Sequence, residues 1–351
     1  MIQLIIAGGL CYLAAALVII NRAPPQRPAV TARDRTLKMS LVIVAYNEEL
    51  SLPLLFETLQ QQDRSDCDLT VHLVNDCSTD MTGKLFDRLQ QEAPYPVIVH
   101  SSSGRRGKVD RLRELLPQLE ADVLLFTDAD CRLPAGWLQA VRRWFLTEEG
   151  ILGGAVLSEG GSAFQLLDWL LISGFGEVLS WQGRAQSAFG GNLAIAGSTL
   201  KTVEYARTIT GDSAEDLQLV QRVLEQSLPV NFRLQPDLLV RTTSLPRQPY
   251  LQQKLRWLEG LRYLKPFTKL GLVAFALLQL LTVASVIHLP QSTLLILSVT
   301  AGNLLLVGSF CRRVGVAVPW LSTLLYPFYW VTLLVGLVIA RFSLPDDWGR
   351  R

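Results

Sequence analysis

Two apolar regions that are almost free of charge, one at each end of the chain, limit the possible folds more than any other feature. Residues 2–20 contain no charged side chain, and residues 270–340 contain only Arg312 and Arg313. A helix over residues 2–20 is about 28 Å long, close to the roughly 30 Å of a bilayer core. We therefore predict an integral membrane protein whose ionisable residues lie mainly between these regions.

Composition excludes several classes of function. Charged residues make up 18% of the chain, below the ~25% of an ordinary soluble protein, and the net charge is +2 without a long run of either sign. Nucleic-acid-binding domains usually present a basic stripe, so we expect no nucleic-acid partner. Five cysteines without a CxxC pair and three scattered histidines predict neither a disulfide framework nor a zinc site.

The first apolar region, residues 1–21, is predicted to be a transmembrane helix rather than a cleaved signal peptide. No positive charge precedes it, and no clear Ala-x-Ala cleavage site follows it. The next segment, residues 22–39, is a proline-containing basic linker with the cations Arg22, Arg27, Arg33, Arg35 and Lys38. By the positive-inside rule, the linker and the polar block that follows it lie in the cytosol.

The second apolar region, residues 270–341, has room for two or three membrane spans. Its apolar runs are 270–288, 292–310 and 318–340. Leu289, Pro290 and Gln291 form an uncharged hairpin that we expect on the outside, because Arg312 and Arg313 mark the return to the cytosol.

The third run, residues 318–340, decides on which side of the membrane the C-terminal tail lies, because each span moves the chain to the other side. If it spans the membrane, the basic tail at 342–351 lies outside the cell. Alternatively, Pro319 and Pro327 make the run kinked or re-entrant, which keeps the tail cytosolic. The sequence leaves both interpretations open.

The polar block alternates short β-branched runs with amphipathic stretches. The predicted strands are 40–45, 69–75, 97–100 and 123–127, and the predicted helices are 50–61, 79–91 and 108–119. This rhythm indicates an α/β domain, with a mostly parallel sheet covered by helices on both faces and a ligand site at the carboxyl ends of the strands.

Polar residues follow three of the predicted strands. Asn47 and Glu48 follow the first strand, and Asp76 follows the second. Asp128 and Asp130 follow the apolar strand that ends at residue 127. Two carboxylates at positions i and i+2 in an extended turn can both reach one hard cation, which in turn neutralises a diphosphate.

Two common nucleotide-binding motifs do not fit the corresponding loops. Residues 45–49 read AYNEE where a dinucleotide site has GxGxxG, and residues 102–109 lack the first glycine and the magnesium-binding hydroxyl of a P-loop. The Lys108 ammonium, a compact positive charge, can still bind a phosphate electrostatically. The alternative for Lys108 is a solvated lysine at the start of a helix.

Six short motifs occur together in the order seen in membrane-bound family 2 glycosyltransferases, which the chain therefore resembles. They are LVIVAYNEE (41–49), VNDCSTD (74–80), Gly107-Lys108, FTDAD (126–130), Glu215-Asp216 and QKLRW (253–257). The resemblance covers about residues 40–260. It implies a Rossmann-like GT-A catalytic domain at 40–246, with an interfacial amphipathic helix at 247–269 carrying the QxxRW motif.

The resemblance also implies roles for individual residues. Asp216 resembles the general base, with Glu215 beside it, and Asp130 the ligand of Mg²⁺ or Mn²⁺. The implied donor contacts are Ala45, Tyr46, Asn47, Glu48, Asp76, Lys108 and Asp128, and the implied acceptor-side residues are Gly191, Asn192, Gln253, Arg256 and Trp257. The alternatives from the residues alone are a helix N-terminal acidic pair at 215–216, a plain tight turn at 190–192 and an interfacial anchor at Trp257.

Taken together, these features predict an inverting glycosyltransferase that moves a sugar from a nucleotide sugar, most simply a UDP-sugar, to a lipid acceptor. The expected location is a bacterial cytoplasmic membrane, with the catalytic domain in the cytosol. One alternative is a processive polysaccharide synthase subunit. Another is an inactive membrane scaffold or nucleotide sensor.

Overall fold

The computed structural model describes residues 2–22, 35–102, 104–181, 183–211 and 214–343. Most of the predicted basic linker and the C-terminal tail from residue 344 lie outside the described residues. Within these ranges, an α/β domain precedes a group of apolar helices.

The described strands form two sheets. Their bounds are β1 (Leu37–Ala45), β2 (Cys67–Asn75), β3 (Val97–Ser101), β4 (Val123–Phe126), β5 (Cys131–Arg132), β6 (Ile151–Gly154), β7 (Val156–Glu159), β8 (Leu193–Ala196), β9 (Val230–Arg233) and β10 (Val240–Thr243). The larger sheet has the order β3-β2-β1-β4-β8-β6-β9, and the smaller one has the order β5-β10-β7.

The described α-helices surround these sheets and continue into the membrane region. Their bounds are α1 (Ile2–Asn21), α2 (Leu52–Gln60), α3 (Thr82–Glu92), α4 (Lys108–Leu115), α5 (Trp137–Phe145), α6 (Ala163–Ser180), α7 (Gly197–Val203), α8 (Tyr205–Thr208), α9 (Glu215–Glu225), α10 (Arg247–Gly260), α11 (Pro266–Ala284), α12 (Thr293–Val314), α13 (Trp320–Leu324) and α14 (Tyr326–Ser343).

The predicted α/β sheet is confirmed. β3, β2, β1 and β4 are parallel neighbours, whereas β8 lies antiparallel to both β4 and β6. Along β1, Leu41 and Ile43 enter the core on one face of the sheet, and Val42 enters the core on the other. Burial on both faces explains why this strand is a continuous apolar run rather than an alternating one.

The smaller sheet connects the active-site edge to two long helices. β10 pairs with β5 in antiparallel register and with β7 in parallel register. β7 leads into α6 and β10 leads into α10. α10 therefore follows the strand next to the Asp128-Asp130 turn, and α6 follows the strand on the other side of β10.

Four described helices are long and apolar enough to cross a membrane, namely Gln3–Asn21, Pro266–His288, Thr293–Val314 and Tyr326–Ser343. The third apolar run of the sequence is divided into the short α13 and the continuous α14. Pro319 immediately precedes α13, and Pro327 lies in the first turn of α14, where a missing N–H costs no helical bond. Neither proline therefore interrupts the 18-residue α14.

Polar contacts hold the apolar helices to one another and to the α/β domain. The hydroxyl of Tyr12 in α1 donates to Asn303 of α12 over 2.7 Å, and Asn303 donates to Gln279 of α11 over 3.1 Å. At the domain side, Arg313 of α12 forms a 2.5 Å ion pair with Glu177 of α6. Interhelical hydrogen bonds of this kind supply part of the attraction that apolar surfaces do not supply in lipid.

Candidate active site

The candidate site lies at the carboxyl ends of β1, β2 and β4, and Lys108 stands at its centre. Lys108 is the first residue of α4, and Gly107 before it has φ +87°, a left-handed conformation that favours glycine. Its ammonium lies 2.6 Å from Asp128 Oδ1 and 3.3 Å from Glu215 Oε1. Burial disfavours this charge, but the Asp128 and Glu215 carboxylates outweigh that effect and raise the pKa of Lys108 well above its usual range.

A tight turn places two carboxylates next to each other after β4. The Cys131 N–H donates to the Asp128 carbonyl over 3.1 Å, which closes the turn. Asp130 Oδ2 accepts a 2.8 Å hydrogen bond from the hydroxyl of Thr242 on β10. Burial and the nearby Asp128 carboxylate raise the pKa of Asp130. An added cation would offset this concentration of negative charge.

The donor atoms of this turn fit a hard divalent cation. The ligand atoms of Asp128, Asp130 and Cys131 all lie within 4.8 Å of one another. Burial and the two carboxylates raise the pKa of the Cys131 thiol well above its usual range, so this sulfur stays protonated and is a poor ligand. Two carboxylates without a thiolate suit Mg²⁺ or Mn²⁺ rather than a soft metal.

Glu215 and Asp216 lie in the first turn of α9, and Glu215 pairs with Lys108. Asp216 Oδ2 accepts from the Gly190 N–H over 3.1 Å, and Asp216 Oδ1 accepts from the Leu217 N–H over 2.7 Å. Burial, followed by the like charge of Glu215, raises the pKa of Asp216 to about 7. Lys108 thus joins the Glu215-Asp216 pair, which includes the predicted general base, to the predicted DxD turn in one cluster.

The loop at 190–191 passes close to both acidic motifs and leaves little space for a side chain. A Cβ on Gly190 would lie 3.0 Å from the Lys108 ammonium, and one on Gly191 would lie 3.0 Å from Asp128 Oδ2. The backbone itself therefore forms this wall of the cleft. This close approach supports the interpretation of the two glycines as part of the site.

Asn192, the next residue, supports the loop from behind. It is 3% exposed, and its carbonyl oxygen accepts from the indole N–H of Trp137 over 2.9 Å. Its amide donates to the carbonyls of Ala155 and Leu238 over 2.9 and 2.8 Å. These buried partners occupy the side chain, so it is not directed toward an acceptor as the resemblance implied.

Asp76 is likewise committed to partners inside the protein. It is 2% exposed and forms a 2.8 Å ion pair with Arg111 of α4. It also accepts from the N–H groups of Arg106 and Gly107 over 2.9 and 2.8 Å. Asp76 therefore holds the loop that presents Lys108. The sequence analysis missed Arg111, which lies on a helix and outside the recognised motifs.

We expect Asp76→Ala to lower the free energy of unfolding by about 3–5 kcal/mol, because it removes the buried carboxylate partner of Arg111 and leaves only the exposed Glu114 to pair with it. Denaturant titration of the purified protein in detergent measures this change. The control is Asp237→Ala, which removes an exposed 3.3 Å pair with Arg143 and is expected to cost at most about 1 kcal/mol. Unchanged stability together with weakened nucleotide binding would instead favour a direct donor contact for Asp76.

The remaining donor-side residues line the loop after β1. Ala45 is the buried last residue of β1, and Tyr46 lies under the Arg105 guanidinium at 3.7 Å. Asn47 has φ +54° and accepts from the Thr79 N–H over 2.8 Å. Burial raises the pKa of Glu48 to about 7, with further contributions from Asp130 and Asp128.

The QxxRW helix α10 reaches the cleft through aromatic contacts. The Trp257 ring meets Trp169 edge-on at 4.6 Å, and Trp169 meets Phe189 at 5.1 Å, one residue before Gly190. At the C-terminal end of α10, Gly260 lies against Leu217 of α9. Trp257 is therefore linked through ring contacts to the loop that passes beside Asp216.

The other two residues of the QxxRW motif differ in exposure. Gln253 is half-buried and Arg256 is exposed. A neighbour that the sequence analysis missed is Asp168, which forms a buried ion pair with Lys254. Its only signal in the sequence was an isolated carboxylate in the apolar stretch 163–176.

Comparison with known proteins gives a family match and several relatives. The sequence profile described as "Glycosyl transferase family 2" matches residues 40–195. The chain is 29% identical to a beta-monoglucosyldiacylglycerol synthase of Synechocystis sp. over 135 residues. This stretch covers 37% of this chain and 28% of that protein. It is 30% identical to the poly(ribitol-phosphate) beta-N-acetylglucosaminyltransferase TarS of Staphylococcus aureus over 95 residues. This stretch covers 27% of this chain and 16% of that protein.

Among solved structures, the chain is similar to a mannosyltransferase from Pyrobaculum calidifontis in complex with GDP-Man and Mn²⁺. The TM-score is 0.60 at 17% identity, and the match covers 99% of this chain and 100% of that one. This similarity confirms the predicted GT-A type of fold. The matches to the two curated relatives, by contrast, span less than a third of either protein's length.

Proposed function

We propose, from the match of residues 40–195 to the glycosyl transferase family 2 profile, that the protein transfers a sugar, with inversion, from a nucleotide sugar to a lipid acceptor. The observation that carries the proposal is the convergence of both acidic motifs on Lys108. Asp128 lies 2.6 Å from its ammonium and Glu215 lies 3.3 Å from it, at the edge of the sheet where ligands of such folds bind.

In this proposal Asp128 and Asp130 hold a divalent cation. When bound, a cation there neutralises the diphosphate of the donor and of the leaving nucleotide. Thr242 keeps Asp130 oriented through its 2.8 Å hydrogen bond, and Lys108 supplies a fixed positive charge beside the pair. The loop that carries Tyr46 and Asn47 is proposed to hold the nucleoside.

Asp216 is proposed as the general base that takes the proton of the acceptor hydroxyl. The Gly190 and Leu217 N–H groups fix the direction of its carboxylate. Because the pKa of Asp216 is about 7, a large fraction of the carboxylate is ionised at neutral pH and yet basic enough to accept a proton. Glu215, paired with Lys108, provides the like charge that maintains this pKa.

A membrane lipid is the proposed acceptor class because the site adjoins the apolar helices. α10 starts from the strand beside the Asp128-Asp130 turn, ends against α9 and packs on α14 through Tyr250, Leu333 and Leu337. One of the relatives is named as a glycolipid synthase, which supports this choice.

The proposed orientation places the catalytic domain in the cytosol. Arg313 pairs with Glu177 of the catalytic domain and also donates to the carbonyl of Arg22 over 3.3 Å. The basic ends of α1 and α12 thus lie together on the side of the catalytic domain. The positive-inside rule assigns that side to the cytosol.

Cysteine labelling is expected to support this orientation. Lys38 on β1 and Gln291 between α11 and α12 are both exposed, so a cysteine at either position is accessible to solvent. In a background that lacks the partly exposed native cysteines, Lys38→Cys should resist an impermeant thiol reagent in intact cells, whereas Gln291→Cys should react. Both should react after permeabilisation, and reaction of Lys38→Cys in intact cells would place the site outside.

The proposed activity is tested with purified membranes, radiolabelled nucleotide sugars and a lipid extract. UDP-glucose, UDP-galactose, UDP-N-acetylglucosamine and GDP-mannose are assayed separately with Mn²⁺ or Mg²⁺. We expect label from one donor to enter the organic phase as a product of one added sugar. Label in a water-soluble polymer would favour the polysaccharide synthase instead, and no turnover of any sugar nucleotide would favour the inactive scaffold.

A further inference from the structure

A buried ionic cluster joins the catalytic domain to the membrane region beside the cleft. Asp168 of α6 is 4% exposed, and its carboxylate accepts hydrogen bonds from the hydroxyls of Tyr250 in α10 and of Tyr326 and Tyr329 in α14. The two bonds from α14 are each 2.8 Å long. The Lys254 ammonium lies 3.2 Å from the same carboxylate. These five residues form the Asp168 cluster.

The composition of the Asp168 cluster makes the relative placement of three helices interdependent. A buried carboxylate needs several donors to compensate for lost water, and here these come from α10 and α14 rather than from α6 itself. A shift of α10 away from α6 would separate the Asp168 and Lys254 charges in the interior, and a shift of α14 would remove two of the three hydroxyl donors to Asp168.

Lys254 extends the influence of the cluster to Trp257. Its ammonium lies 3.8 Å from the centre of the Trp257 ring, a cation–π contact. On another side the same ring meets Trp169, the residue that follows Asp168 on α6. Asp168 therefore pairs directly with one of the two groups that contact Trp257 and precedes the other on α6.

We propose that Asp168 is a positioning residue for transfer to the acceptor. Through Lys254 and Trp169 it sets where Trp257 stands beside the donor cleft. Through the α14 tyrosines it links that placement to the last membrane helix. Among the described residues, the polar partners of Asp168 all belong to the cluster, so it is not a catalytic residue. This inference rests on the proposed transferase function.

The test compares two rates, one binding affinity and a structural readout in Asp168→Asn. The carboxamide oxygen still accepts hydrogen bonds at one of the two carboxylate oxygen positions, but its NH2 group cannot accept at the other and carries no charge opposite Lys254. We expect transfer to the lipid acceptor to fall by roughly 10- to 100-fold, as for a misplacement of about 1 Å, while hydrolysis of the donor by water and affinity for UDP change by less than about 2-fold. Amide hydrogen exchange in α10, residues 247–260, should become faster.

Glu177→Gln is the matched control, because Glu177 is a second buried carboxylate on α6. Its side chain is 2% exposed and pairs with Arg313 of α12, away from Trp257. This variant should lose thermal stability but keep the ratio of transfer to hydrolysis and the exchange rate of α10. In the double variant Asp168→Asn/Lys254→Met, the loss of transfer should be smaller than the product of the two single losses, because both substitutions break the same ion pair.

The possible outcomes separate this inference from the proposed function. Equal losses of transfer and hydrolysis in Asp168→Asn, with unchanged exchange in α10, would overturn the positioning role. If Asp168→Asn does not fold, Tyr250→Phe and Lys254→Met carry the same test with smaller changes. If the parent transfers no sugar at all, the proposed function fails, whereas hydrogen exchange in α10 still decides whether Asp168 positions that helix.

Discussion

Asp216→Asn is expected to lower the rate of transfer by roughly 100- to 10,000-fold while donor binding survives, because the amide cannot accept a proton from the acceptor. The residues proposed to contact the donor, such as Asn47 and Asp128, lie on other loops. The measurement is paired on one variant: affinity for UDP with Mn²⁺, and the initial rate of transfer. A near-normal rate with normal binding would move the base elsewhere, with Glu215 the next candidate.

The pH dependence of stability separates the base from a helix-capping role for Asp216. Its folded-state pKa of about 7 lies above the ordinary 3.8, so the folded state binds this proton more tightly than the unfolded state. The resulting stabilisation is complete below about pH 4 and is lost as the pH rises through about 7. Asp216→Asn should therefore be at least as stable as the parent at pH 8. If Asp216 only complements the helix dipole, the variant should instead lose about 0.3–1 kcal/mol there.

The parent enzyme should also show the titration of this group in its kinetics. A base must be deprotonated to act, so kcat/KM should rise with pH through about 7 and level off above it. In Asp216→Asn the residual rate should lack this acidic limb. Persistence of the limb in the variant would assign it to another group.

Asp130→Asn is expected to remove most activity, by about 100-fold or more, and chelation of divalent cations should do the same to the parent. Adding Mn²⁺ or Mg²⁺ back should restore the parent but not the variant. A readout that does not depend on turnover is the affinity for UDP, which Mn²⁺ should increase in the parent and leave unchanged in Asp130→Asn. Full activity of the parent in excess chelator would remove the cation from the mechanism.

Two controls accompany the cation experiment. Asp110→Asn alters a carboxylate whose side chain, at 43%, is as exposed as that of Asp128 but pairs with Arg113 outside the turn. It should retain the activation by Mn²⁺. Cys131→Ser should also retain it, because the buried thiol stays protonated. Loss of activation in Cys131→Ser would make the sulfur a ligand.

Local patterns in the sequence were enough to predict the alternating α/β domain and three of the four described helices that are long enough to cross a membrane, whereas they left residues 318–340 open. A helix needs only a continuous apolar run of sufficient length, and a buried strand needs only a short β-branched run. The DxD turn was recognisable for the same reason, since both carboxylates lie two residues apart after one strand. Their convergence with Glu215 was predicted only through the resemblance to a family.

Tertiary structure decided which polar side chains face the cleft and which support it. Asp76 and Asn192 resemble ligand contacts in sequence, yet both side chains bind partners in the interior. Arg111 lies 35 residues after Asp76, and Trp137 lies 55 residues before Asn192. Asp168, an isolated carboxylate in an apolar stretch, obtains its role from tyrosines and a lysine that are 82 to 161 residues away. The role of a polar side chain depends on the partners that compensate its burial, and long-range packing alone chooses those partners.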